Sequence, residues 1–253
     1  YDKKIMSSLT LLIIFIALAI GSLIVVSLLD EREKRQKVIR QRLQQIKILA
    51  NDLEETVMAI DNLVETRAIP QLLNEEIIEM LIGIKDAYPQ ATHLQAAYRS
   101  AISRQDRLND ESEIRHLDRL KESDKQIALA QAQLNAAGRI IRKQHSSGKI
   151  TIDEMNTFIS ELAWSHLLIE VFTLIGQGHR AINREDALRG HAFYKKALQL
   201  LAKSKHPTPK RQVMITEITE MIEGKRRALS LNLMPETQLN PVLDNDNSKP
   251  LDI

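Results

Sequence analysis

Cysteine is absent from all 253 residues. Disulfides, thiolate metal sites and a cysteine nucleophile are therefore excluded. Glycine occurs eight times, proline seven, and aromatic residues make up 4% of the chain. The chain carries no phosphate-cradling glycine-rich loop, no dinucleotide fingerprint, and neither a G-x-S-x-G elbow nor an H-E-x-x-H pair. Charge of one sign is also missing: 35 Lys and Arg stand against 33 Asp and Glu, interspersed, for a net of +2. A dedicated nucleic-acid binder concentrates basic residues on one surface, so that class is set aside. What remains is dominated by Ala, Leu, Gln, Glu, Lys and Arg, which favour helices, together with Ile. The expected fold class is all-α, and the expected function is binding, with no catalytic residues, cofactor or metal.

One long apolar run stands out. Ile5 to Leu29 contains no charged residue, and a helix crossing the hydrocarbon core needs ~20 such residues. A cleaved signal has a shorter apolar core, ~7–15 residues, followed by small residues. Ala17-Leu18-Ala19 imitates such a site, but the run continues through Ile24, Val25, Val26 and Leu29. The reading is a retained single-pass anchor. Ala17 and Gly21 form one small-xxx-small pair, a spacing that lets helices approach closely. Lys3 and Lys4 precede the run, whereas Arg32, Lys34, Arg35, Lys37, Arg40, Arg42 and Lys47 follow it. Counting basic residues places the following domain in the cytoplasm. Arg32, Lys34, Arg35 and Lys37 are expected at the lipid surface, where each contributes ~1 kcal/mol with anionic lipid.

The chain divides by pattern into the N-terminal flank and span (1–29), an amphipathic stalk helix (30–69), a helical domain (70–231) and a disordered tail (232–253). In the stalk, Val38, Ile39, Leu43, Ile46, Leu49, Leu53, Val57, Ile60 and Val64 recur at three- and four-residue steps. That stripe suits packing on the domain's own helices or pairing with a second copy. Pro70 fits the first turn of the next helix, which closes near Tyr88-Pro89. A helix about 91–108 follows, then one expected from about 112 to 143 with Ile114, Leu117, Leu120, Ile127, Leu134 and Ile141 inside. Thr151 and Glu154 have capping-box spacing and open the most apolar helix of the domain. Two more helices are expected, about 184–204 and from Pro209 to about 231. Beyond Pro235 the chain is polar and aperiodic, which reads as disorder.

The segment Leu174 to Lys203 places Gly178 within one helix, with Gly190, Tyr194 and Ala197 in the next. It resembles a single degenerate tetratricopeptide unit, a helix–turn–helix repeat of ~34 residues. Leu174 stands where the family has Trp, Ala181 where it has an aromatic, and the closing proline is missing; an ordinary antiparallel helix pair has the same outline. The resemblance implies a helical-hairpin bundle that presents a protein-binding surface, with Leu174, Gly178, Gly190, Tyr194 and Ala197 as its scaffold.

Other constellations are weaker. Lys143 to Glu154 has the outline of a calcium loop, with Gly148, Ile150 and Glu154 in register. Lys143, His145 and Ser147 occupy its first ligand positions, where carboxylates are required. Glu113 and His116 share a helix face without the second copy that a di-iron bundle needs. His179 and His191 flank a turn, and Trp164 and His166 lie on the apolar helix. The expected function is a membrane-anchored scaffold or accessory subunit of a membrane complex. Its partners would be membrane lipid and other subunits. The alternative is a signalling protein that relays motion through the stalk, with homo-oligomers forming along it.

Overall fold

The structure, a computed structural model, describes residues 2–88, 93–113 and 115–236, with the backbone alone for residues 2–21, 23–29, 87 and 93. Among the described residues there are seven α-helices and no strand. They are α1 (Asp2–Leu63), α2 (Ala68–Ala87), α3 (His93–Asn109), α4 (Asp124–Ser146), α5 (Ile152–Ile182), α6 (Ala187–Lys203) and α7 (Pro209–Ile222). The chain divides into two compact units, Tyr1–Asn51 and Asp52–Ile253.

In the first unit the backbone of Ile5–Leu29 is helical; apart from Ser22, its side chains lie outside the described residues, and with them the reading of this run as a span. Among the described residues one helix is long and apolar enough to cross a membrane, and it is α5, in the middle of the chain. Half of its apolar window is buried within the protein. It also carries Glu161, His166 and Glu170, so length and composition alone do not separate it from the core helix of a folded domain.

The second unit is built from helices packed mostly on their chain neighbours. α2 pairs with α3, and α4, α5, α6 and α7 each pack on the next. One core gathers Trp164, Leu168, Phe172 and Ile175 of α5, Tyr194 and Leu201 of α6, and Met214 and Ile218 of α7. Fully burying side chains of this size contributes roughly 1.5–3 kcal/mol each. Also buried are Val57 and Ile60 of α1, Ile69, Leu73 and Ile77 of α2, and Ala101 and Leu108 of α3.

Helix ends follow local chemistry. The capping box opens α5: the Glu154 N–H donates to Thr151 Oγ1 at 3.2 Å and the Thr151 N–H donates to the Glu154 carboxylate at 2.8 Å. Thr151→Ala should lower stability by about 1 kcal/mol, read as a fall in the midpoint of a helical circular dichroism melt. Gly224, with φ of 73°, takes the left-handed conformation just beyond α7 and ends that helix well short of residue 231.

Three sequence expectations are corrected. The helix expected over 112–143 begins only at Asp124. From Asp110 to Ser123 the described chain is irregular because its polar groups bond outward: the Asp118 N–H donates to the Asn62 carbonyl at 2.8 Å and the Lys121 N–H to Thr173 Oγ1 at 3.2 Å. Ile114 lies outside the described residues. Ser123 accepts the Gln126 N–H and restarts the helix. The stalk helix ends at Leu63 instead of residue 69. Finally, the tail begins later than residue 232, because Leu233, Met234 and Glu236 are buried against the domain. The remaining tail, 237–253, lies outside the described residues.

Candidate functional site

α5 and α6 form the most extensive helix pair, and the residues of the repeat-like scaffold meet there. The turn between them is tight: the Asp186 N–H donates to the Ala181 carbonyl at 3.0 Å, and Glu185 takes a φ of 64°. The Asp186 carboxylate then accepts the Arg189 N–H at 3.0 Å and starts α6. Close approach follows from missing side chains. A Cβ on Gly178 would lie 2.7 Å from Tyr194 Cδ1 and nearer still to Cε1. A Cβ on Gly190 would lie 3.1 Å from the Gly178 carbonyl oxygen and nearer still to Ile182.

Tyr194 fills the space so created and is 1% exposed. Its hydroxyl lies 2.8 Å from His179 Nδ1, and the two rings meet edge-on at 5.5 Å. Burial pushes the phenol above its ordinary value of 10, so it stays protonated at physiological pH. Ala197 is fully buried beside it in the core, and Leu174 packs half-buried on the same cluster. Thus Gly178, Gly190, Tyr194 and Ala197 are brought together, with Leu174 at the edge. All but Leu174 are buried, so they shape the hairpin without presenting a surface to a partner. Residues 183–189 at its tip are all exposed, Glu185 and Asp186 among them; Arg184, Leu188 and Arg189 were not singled out by the sequence pattern.

Arg32, Lys34, Arg35 and Lys37, expected from the sequence at a lipid surface, are exposed on α1 in the first unit. Lys34 pairs with Asp30 at 2.7 Å and Arg35 with Glu31 at 2.6 Å, both one helical turn apart. Such exposed pairs are worth ~0–1 kcal/mol and leave Arg32 and Lys37 without an acidic partner among the described residues.

A guanidinium network is the feature the sequence pattern missed. The last turn of α1 carries no basic residue, although the helix dipole favours a cation there. Arg115 supplies it from the irregular segment. It donates to the Val64 and Glu65 carbonyls at 2.9 Å each and to the Asp61 carbonyl, and it pairs with the Asp61 carboxylate at 2.9 Å. Arg104 bridges Asn74 and Glu54. Arg119 is fully buried. Its Nε pairs with Glu236 at 2.7 Å and its Nη1 with Glu65 at 2.9 Å, while the guanidinium lies 4.8 Å from the centre of the Phe172 ring. Basic residues scattered among charged neighbours gave no signal for this role, because their partners stand tens of residues away.

Glu65 also pairs with Lys210. Burial pushes its carboxyl up, but hydrogen bonds from Lys210 and Arg119 outweigh that and hold it below the ordinary 4.5. A depressed folded value means that the unfolded chain binds more protons at low pH. The stabilisation is present above about pH 4.5 and disappears as pH falls through the folded value. Between about pH 5 and pH 3 the melting temperature should drop, and Glu65→Gln should flatten that drop; equal slopes would show that Glu65 does not set it.

The turn over 143–154 is held by structural bonds. Lys143 and Lys149 pair with Glu76 at 2.8 Å each, and Glu154 is engaged in its cap. His116 is exposed beside a cleft of about 670 Å³ formed by the end of α1, the 116–122 segment and α4. His191 lies 6.4 Å from the Tyr194 ring. Among the described residues no group of three or more His, Cys, Asp or Glu stands where it could hold a metal ion. Comparison of the chain with protein-family models, curated proteins and solved structures finds no match.

Proposed function

We propose that this chain is a single-pass membrane protein whose all-α domain binds other proteins, as a scaffold or accessory subunit of a membrane-associated complex. The observation that carries the reading is the hairpin α5–α6. Gly178 packs against Tyr194, and Gly190 against Ile182 and the Gly178 carbonyl, in the manner of a tetratricopeptide-like unit. Support also comes from the succession α4 to α7, in which each helix packs on its chain neighbour; stacked repeats share that pattern and present extended binding surfaces. The uncharged run Ile5–Leu29 supplies the N-terminal anchor, and the basic residues Arg32, Lys34, Arg35 and Lys37 face lipid on the cytoplasmic side. Purification of the full chain from carbonate-washed native membranes tests this reading. A retained chain carrying a stoichiometric protein partner is expected; release by carbonate, or a chain that purifies alone, contradicts it.

A second reading is a regulatory protein that relays motion through α1. In its favour, Val38, Ile48 and Leu49 on that helix are about half exposed (48%, 55% and 50%), leaving apolar surface open to a second copy. The cysteine-free background makes the test clean: Leu49→Cys in membranes should give a disulfide-linked dimer on mild oxidation, and a persistent monomer would remove the relay reading.

A further inference from the structure

The tip of the α5–α6 hairpin holds a concavity of about 450 Å³ whose lining includes Arg180, Arg184, Arg189, Asp186, Ala181 and Phe193. Three guanidinium groups converge on it against one carboxylate of the lining, and that carboxylate is committed to capping α6. Glu185, in the same turn, is not part of the lining. Arg180 reaches Glu122 at 2.9 Å in a pair exposed on both sides, which a stronger acidic ligand can displace. Arg184 has no acidic partner among the described residues, and Arg189 lies over Phe193 at 5.8 Å from its ring centre. Leu188, beside Arg189, is 86% exposed, the most exposed large apolar side chain described.

The geometry points to this concavity as a docking site for an acidic, leucine-containing segment of a partner protein. Carboxylates on that segment accept from Arg184 and Arg189 in bidentate fashion, and its apolar side chain rests on Phe193 and Leu188. A concave site with an aromatic side chain in its lining favours an inserted peptide side chain over a flat lipid surface, against which a guanidinium cluster would gain nothing from the cavity. The inference rests on the scaffold reading above and names the chemistry of the partner.

The test uses the full chain in neutral detergent and a fluorescein-labelled twelve-residue peptide alternating Asp or Glu with Leu, followed by anisotropy. Saturable binding is expected, weakened about tenfold or more by Arg184→Glu and by Arg189→Glu, and absent for the Asn/Gln version of the peptide. Both arginines are exposed, so the variants should keep the wild-type helical melt. Equal affinity of wild type and both variants, or equal binding of the uncharged peptide, overturns the proposal. So does an absence of peptide binding together with Arg184-dependent binding of a fluorescent short-chain phosphatidylserine, which would make the patch a lipid contact. If Arg184→Glu abolishes nothing while the carbonate-washed chain still carries its partner, this inference fails and the scaffold reading stands.

Discussion

Arg119→Ala lowers the unfolding free energy by about 3–5 kcal/mol, the usual range when one partner of a buried ion pair is removed. Arg119 is fully buried and Glu236 is 5% exposed. The arginine meets that carboxylate through Nε at 2.7 Å and through its own backbone N–H at 3.2 Å. Removing the guanidinium strands a buried carboxylate and also opens a void against Phe172. The pair itself contributes less than this figure, because desolvating two charges offsets much of their attraction. The double variant Arg119→Met with Glu236→Gln, which leaves no buried charge, should therefore recover most of the loss. Urea denaturation of the two variants reads both numbers. Limited proteolysis gives an independent readout: cleavage between residues 225 and 236 should accelerate in Arg119→Ala, since this pair fastens that segment to the domain. A loss below about 1 kcal/mol, as for an exposed pair, would show that the contact does not fasten it.

Gly178→Ala has the second largest expected effect, and its sign is diagnostic. In an unobstructed helix, alanine is favoured over glycine by about 1 kcal/mol, so the substitution would stabilise. Here the new methyl would sit 2.7 Å or less from ring carbons of Tyr194. That ring is 1% exposed and held through its hydroxyl by His179, so it cannot swing aside. Overpacking of this kind costs typically 1–3 kcal/mol, enough to reverse the propensity gain. Thermal melts should show Gly178→Ala below wild type. Replacing the ring removes the obstacle: Gly178→Ala combined with Tyr194→Leu should be more stable than the sum of the two single changes, a coupling that a double-mutant cycle measures. Additive effects would mean that the hairpin does not depend on this interlock.

These two sites differ in how far the sequence exposes them. Gly178 and Tyr194 are 16 residues apart on adjacent helices joined by a short turn, so their spacing carries the contact. Thr151 and Glu154 are nearer still, and their cap is fully local. Arg119 and Glu236 are separated by 117 residues, and no periodicity links them. Glu236 sits in a polar, proline-marked stretch that reads as tail by composition, and only its buried partner shows that it belongs to the domain. The segment around Arg115 and Arg119 misled for a related reason. Leu117 and Leu120 repeat at helical spacing, yet the arginines between and beside them are drawn toward the end of α1, which lacks a cation of its own. Tertiary hydrogen bonds outweigh a weak local preference there. The arginines at the hairpin tip were invisible for a simpler reason: Arg180, Arg184 and Arg189 share no single helix face and converge only because the turn at Glu185 folds α6 back.

Site-specific photocrosslinking from the hairpin in intact membranes tests the central claim most directly. A photoreactive residue at Leu188, and separately at the exposed Lys195 on α6, would be activated in the full-length chain. The account predicts a discrete protein adduct from at least one position, in the carbonate-resistant membrane fraction. A chain that leaves the membrane with carbonate, or one that gives no protein adduct from either position, would contradict it.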